Sequence, residues 1–268
     1  MRYFLKLAYN GSAFHGWQSQ PNAVSVQQSL EGALSTVTRL PVAVTGAGRT
    51  DTGVHARCMY AHFDLPEPIA SKEKLLLSLN RILGKEIAVY DIIPVSPEAH
   101  ARFDATERTY KYFVAYGKSP FFSDLSWQSP SLLDLENMNA AAEILLTTSD
   151  FSSFAKLHSD TKTNICDVRK AIWTPLHFTD NPYPPGGFGS RDGIVFTISA
   201  DRFLRNMVRA VVGTLVDVGR GKLTLSGFRS IIEAKDRCVA GTSMPAKALF
   251  LWDVKYPYID PHSHIPTL

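Results

Sequence analysis

The sequence predicts an α+β chain. Two ferredoxin-like halves, each running β-α-β-β-α-β, join into one extended antiparallel sheet, with helices on one face and an active-site cleft on the other. Three observations carry that expectation. Two-residue alternation and helical spacing follow one another in the same order twice along the chain. Capping residues and glycine stops bracket the helical stretches. The 268 residues, 45% hydrophobic and 20% charged, suffice to bury the core of one large domain or two small ones. Residues 1–105 make the first half and residues 106–268 the second.

In the first half, Arg2 to Tyr9 alternates, with Tyr3, Leu5, Leu7 and Tyr9 on one face and Arg2, Phe4, Lys6 and Ala8 on the other. Asn10-Gly11 ends that strand. Ser25 with Gln28 forms a capping box, opening a helix that buries Val26, Leu30, Ala33, Leu34 and Val37. Val42 to Thr45 and Arg57 to Asp64 are strands. Ser71 to Leu83 is a helix with Leu75, Leu76, Leu79, Ile82 and Leu83 inward and Gly84 as its stop. Ile87 to Ile93 is a strand, and Pro94 and Pro97 break the chain after it.

The second half repeats the order. Thr109 to Tyr116 is a strand, and Asp134 to Leu146 is a helix with Leu135, Met138, Ala142 and Leu145 on one side. Val168 to Trp173 and Ile194 to Ala200 are strands. Phe203 to Val218 is an apolar helix, Leu225 to Ala234 a shorter one, and Ala248 to Val254 the last strand. The Pro- and Gly-rich Asp180 to Asp192 is a surface loop, and the residues after Tyr256 are a tail.

Composition excludes several classes. A net charge of +3 is too mild to announce a nucleic-acid binder by itself. Cys58, Cys166 and Cys238 are sparse, odd in number and without zinc spacing, so a reducing cytoplasm is expected rather than a disulfide framework. The opening residues read as a strand rather than a signal peptide, and no apolar run is long enough to span a bilayer. His262 and His264 have no companions to complete a metal set, so no metal site is expected. Gly46-Ala47-Gly48 is neither a dinucleotide nor a Walker loop.

The chemistry concentrates in Gly46-Ala47-Gly48-Arg49-Thr50-Asp51-Thr52-Gly53-Val54-His55-Ala56. Asp, Thr and Gly are ordinary turn formers. Here, however, Asp51 stands between two hydroxyls, Thr50 and Thr52, with the cation of Arg49 beside them. That surrounding favours an ionised carboxylate, suited to a nucleophile or a base. Three glycines let the backbone bend and a ligand approach it. Asp51-Thr52-Gly53 is also the core of aspartic proteases, which need two such carboxylates sharing one proton. This chain has a single copy, and Arg49 opposes a shared proton.

The run Gly48-Arg49-Thr50-Asp51-Thr52-Gly53-Val54-His55-Ala56 resembles the catalytic loop of the tRNA pseudouridine synthase A family, whose Arg-Thr-Asp carries the nucleophilic aspartate. Gly16-Trp17-Gln18 after the first strand, Arg108-Thr109-Tyr110-Lys111-Tyr112, Asp150 to Phe154, and Phe203 with Met207-Val208-Arg209 match further segments in family order. At Pro245 to Leu251 the chain departs slightly, with Ala248 where the family usually has a glycine.

The resemblance implies an isomerase converting uridine to pseudouridine at positions 38, 39 and 40 of the tRNA anticodon stem-loop, without a cofactor. It implies a cytoplasmic homodimer whose partner is tRNA, with no membrane association. Asp51 would attack either C6 of the uracil or C1′ of the ribose. Tyr110 takes the family's active-site tyrosine position, stacking on the base or removing its C5 proton. Arg209 pairs with Asp51, and Arg49 holds the space a flipped base leaves. Arg205 is a tRNA contact or a surface residue, and Leu249 or Phe250 lines the base pocket. An inert RNA-binding protein on the same framework would have no use for Asp51 beside Arg49.

Overall fold

The structure is a computed structural model that describes residues 1–118, 120, 122–156, 162–176 and 193–260. The expected loop at Asp180 to Asp192 and the His262 and His264 tail lie outside the described residues. The chain is α+β, with mostly antiparallel strand pairing. Two compact units divide it: Met1–Arg108 with the chain from Phe250, and Thr109–Leu249. The last strand therefore groups with the first unit, which a single cut between residues 105 and 106 does not convey.

In the first unit the elements are β1 (Arg2–Tyr9), α1 (Val26–Thr38), β2 (Thr45–Gly46), β3 (His55–Asp64), α2 (Lys72–Ile82) and β4 (Ile87–Val95). β1 lies between β4 and β3, antiparallel to both. β2 pairs antiparallel with the C-terminal part of β3, while β9 (Leu249–Lys255) pairs in parallel with its beginning, His55 opposite Phe250. The caps act as expected: Ser25 Oγ accepts from Gln28 N at 3.2 Å, and Ser71 Oγ from Lys74 N at 3.3 Å. Leu5, Leu7, Leu30, Leu34, Met59 and Leu79 are fully enclosed, each such side chain contributing roughly 1.5–3 kcal/mol.

The alternation of β1 hides more than it predicts. Phe4, on the nominally polar face, is also fully buried, its ring meeting those of Tyr60, His62, Tyr256 and Tyr258. Pro94 does not break the chain. It pairs opposite Tyr3 inside β4, whose only partner among the described residues is β1, the kind of outer strand where proline is tolerated. The expected strand from Val42 shrinks to Thr45–Gly46, and Ile82 is exposed rather than inward.

The second unit holds β5 (Glu107–Tyr116), which begins in the first, with β6 (Trp127–Ser129), α3 (Leu135–Ile144), β7 (Val168–Leu176), β8 (Gly193–Ala200), α4 (Met207–Gly219) and α5 (Leu225–Ala234). β8 lies between β5 and β7, and β6 pairs in parallel with β5. α4 is enclosed along almost its whole length, and α3 packs on it and on β7. Asn139 ties α3 to β7: its Nδ2 donates to Trp173 O at 3.0 Å, and its Oδ1 accepts from Trp173 N at 2.8 Å.

α4 starts four residues later than its apolar run suggests. Asn206 sits at φ 65, in the left-handed region, and gives no side-chain cap. Arg202 to Arg205 therefore form the approach to the helix rather than its first turn. No helix among the described residues is long and apolar enough to cross a membrane.

Two glycine substitutions test this packing in opposite directions. A Cβ at Gly213 in α4 would lie 1.9 Å from Thr242 O, whereas one at Gly32 in α1 meets nothing within 4 Å. Gly213→Ala is expected to destabilise by roughly 1–3 kcal/mol. Gly32→Ala should stabilise by about 0.5–1 kcal/mol. Denaturant midpoints measured on both variants check the pair.

Candidate active site

Asp51 lies half-buried in the eight-residue connection between β2 and β3. The backbone around it is tied on both sides. Trp17 N donates to Thr50 O at 3.2 Å, and Val54 N to Asp51 O at 3.1 Å. The Thr50 hydroxyl is buried against that of Tyr9, 2.8 Å away. Ala47 N donates to Tyr60 O at 2.8 Å. Thus β1, β3 and the Gly16-Trp17 loop all hold the segment, and Asp51 projects from a backbone with little freedom left.

Glycines permit this at specific points. Gly16 adopts φ 92 and lies so close that a Cβ would come within 2.6 Å of Thr50 O. Gly46 passes under the buried Trp17 ring, where a Cβ would meet ring carbons at 2.4 Å. Gly53 turns at φ 77. Gly48 has open space around it, so that glycine is not required by packing. Arg49 is exposed beside the loop.

Three groups that hold this loop escaped the sequence reading. His55 is buried at the end of the loop, its Nδ1 accepting from Gly11 N at 3.0 Å and its ring stacked on Phe250 at 4.5 Å. Tyr9 reaches Thr50 as described. Arg108 Nη2 donates both to Ala47 O at 2.9 Å and to Arg102 O at 2.6 Å, while its Nη1 donates to Ala105 O at 3.0 Å. One guanidinium thereby joins the Asp51 loop to the stretch 102–105. Their partners are the Gly11 amide, the Thr50 hydroxyl and the carbonyls of Ala47, Arg102 and Ala105, and such pairings leave no motif; only the polar setting of Arg108 beside Tyr110 hinted at a role.

The stretch from Ala99 to Asp104 is held from the other side. His62 is buried, and its Nδ1 accepts from Ala101 N at 3.1 Å. Tyr256 OH donates to Ala101 O at 2.5 Å, and Arg2 Nη1 to Ala99 O at 2.9 Å. Burial, with the charges of Arg2 and His100 adding to it, pushes the His62 imidazole down to about 4.

Of the other expected residues, Tyr110, Arg205, Arg209 and Leu249 belong to the second unit. Tyr110 is half-buried on β5, its ring edge-on to Phe203 at 5.1 Å. Tyr112, two residues along on the same face, is fully buried and donates to Pro245 O at 3.1 Å. Burial drives its hydroxyl far above the usual tyrosine range. Of these two phenols, Tyr110 is the one left partly exposed.

Arg209 is half-buried in the first turn of α4, and its Nε donates to Met244 O at 2.6 Å, while Met244 N donates to Arg209 O at 3.1 Å. Arg205 is exposed before the helix. Leu249 is buried at the start of β9, after Ala248, which is fully buried too.

Competing chemistry is poorly supplied. Burial pushes the Cys58 thiol up to about 11, with Asp253 adding to it, and the Cys166 thiol up to about 12. Neither is a ready thiolate nucleophile. Among the described residues no three His, Cys, Asp or Glu side chains group as metal ligands. Asp51 offers a half-buried carboxylate on a fixed loop, a kind of group that covalent or base chemistry uses.

The chain is similar to known proteins over most of its length. A family model described as tRNA pseudouridine synthase matches residues 141–257. The chain is similar to a tRNA pseudouridine synthase A of Parabacteroides distasonis, 57% identical over 96% of both chains. It is similar to that of Bacteroides thetaiotaomicron at 54% identity, covering 96% of this chain and 91% of the relative. A more distant relative with the same description, from Bacillus subtilis, is 35% identical over 96% and 99%.

The His62 contact has a consequence in pH. Its folded-state value lies below the roughly 6.5 of an unfolded histidine, so the unfolded chain binds the extra proton first. Stability should be fully present above about pH 6.5 and fall as pH drops toward 4, because over that range the unfolded chain takes up a proton that the buried imidazole does not. Urea midpoints at pH 7.5 and 4.5 measure this, and His62→Asn should flatten the difference.

Proposed function

The chain belongs to the tRNA pseudouridine synthase A family, a family of isomerases, and on that premise we propose that it converts uridine to pseudouridine at positions 38, 39 and 40 of the tRNA anticodon stem-loop, with Asp51 as nucleophile. The single observation that carries the role of Asp51 is its half-buried place on a loop tied at Ala47, Thr50 and Val54. Positioning of that kind is what nucleophilic catalysis draws on.

The reaction breaks the bond between C1′ and N1, turns the uracil, forms a bond between C1′ and C5, and moves a proton from C5 so that N1 ends protonated. It is neutral in redox terms and needs no group transfer from outside, so the proposal invokes no cofactor. The Asp51 carboxylate adds to C6 of the ring or to C1′ of the sugar and leaves again when the new bond has formed. The target base must first leave its stack, at a cost of a few kcal/mol.

Arg49, exposed beside the loop, takes the space the base vacates. Tyr110 stacks on the uracil or accepts the C5 proton. Its half-exposed ring supports this, in contrast to the sealed Tyr112. Arg209 pairs with the nucleophile, Arg205 contacts tRNA phosphate, and Leu249 contributes apolar surface to the base pocket. The proposal also takes each half of the chain as ferredoxin-like, and the enzyme as a cytoplasmic homodimer with each tRNA contacting both subunits.

Tritium release from tRNA labelled at C5 of uridine tests the reading. Wild type should release tritium, and Asp51→Asn should lose more than about a thousandfold in rate while still binding tRNA. Arg49→Ala should lose turnover on structured tRNA; full turnover would remove its role. Binding should weaken steeply as salt rises, because neutralised phosphates release their counterions, and a flat salt response would argue against RNA.

A further inference from the structure

Phe103 is the most exposed large apolar side chain among the described residues, 73% accessible, yet it stands on one of the most firmly held stretches of the first unit. His100 Nδ1 accepts from Arg102 N at 3.1 Å and from Phe103 N at 3.3 Å. Asp104 N donates to His100 O at 3.0 Å, and Asp104 Oδ2 accepts from His100 N at 2.8 Å and from Tyr258 OH at 2.7 Å. Arg108, His62, Tyr256 and Arg2 fasten the surrounding carbonyls and amide as described. The ring's exposure is therefore built in and does not arise from slack in the chain.

Its neighbours complete the picture. The His100 ring lies against Phe103 at 4.2 Å, and the Arg102 guanidinium approaches it at 5.7 Å. An open aromatic face with a cation beside it suits a nucleobase and the phosphate attached to it. The one acidic group in the turn, Asp104, is engaged by Tyr258 and the His100 amide. Arg108 Nη2 bonds the carbonyls of both Arg102 and Ala47, so the platform and the Asp51 loop share a single nitrogen as their link.

We infer that Phe103, with Arg102 at its edge, is a stacking platform for an unpaired base of the RNA substrate, held in register with the Asp51 loop through Arg108. This rests on the proposal that the substrate is tRNA. It adds a binding site in the first unit distinct from the residues of the reaction itself.

Equilibrium binding of unmodified tRNA to the full chain, measured over a series of salt concentrations, tests it. Phe103→Ala should bind about 5- to 100-fold more weakly with an unchanged salt slope, because stacking releases no counterions. Phe103→Trp should restore the affinity, and both variants should keep the wild-type melting temperature. Wild-type affinity in Phe103→Ala, or no rescue by tryptophan, overturns the inference. So does a change of oligomeric state in sedimentation, which would make the ring a contact between copies of the chain. Wild-type tRNA binding without tritium release would sink the proposed reaction, while the platform would still be judged by these affinities.

Discussion

The account depends on the backbone from Ala47 to Val54 being settled before any ligand arrives. Tyr60 and Arg108 hold Ala47, Trp17 holds the Thr50 carbonyl, Tyr9 the Thr50 hydroxyl, and the turn from Asp51 to Val54 closes on itself. Fixing a residue's backbone costs on the order of 1–2 kcal/mol, and here that cost is met during folding. A carboxylate carried on such a segment needs no ordering when a base approaches. Free loops of the same composition would present the same chemical group with far less effective reactivity.

The supports of that segment explain features that otherwise look incidental. Gly16 and Gly46 are glycines because Thr50 and Trp17 come too close for a Cβ. His55 is buried, and its Nδ1 accepts from Gly11 N at the end of the loop. Arg108 spreads its fork over three carbonyls and so joins the Asp51 loop to the stretch 102–105.

Much of the fold was legible in the chain, and the failures have local causes. The shorter helix Leu225–Ala234 agrees to the residue, because Thr224 caps it and Lys235 turns left-handed after it. The apolar run from Phe203 pointed to an early helix start, since periodicity does not register that Asn206 turns the backbone at φ 65. Pro94 looked like a break because its place on an outer strand is a property of the pairing. Asp51 stood out in the sequence because nine consecutive residues around it form a recognisable run. Tyr9 and Arg108 were not assigned their contacts, because such contacts are made through distant hydroxyl and carbonyl groups. The strand expected from Thr109 to Tyr116 holds both Tyr110 and Tyr112, and the sequence could not tell that one is half-open and the other sealed.

The claim that the Asp51 oxygen itself attacks the nucleoside is tested most directly by trapping. A tRNA bearing 5-fluorouridine at the target position cannot lose a proton from C5, so the final step is blocked. Incubation with the enzyme, followed by nuclease and protease digestion and mass spectrometry, should locate a nucleoside adduct on the peptide containing Asp51. An adduct mapped to any other residue would contradict the account.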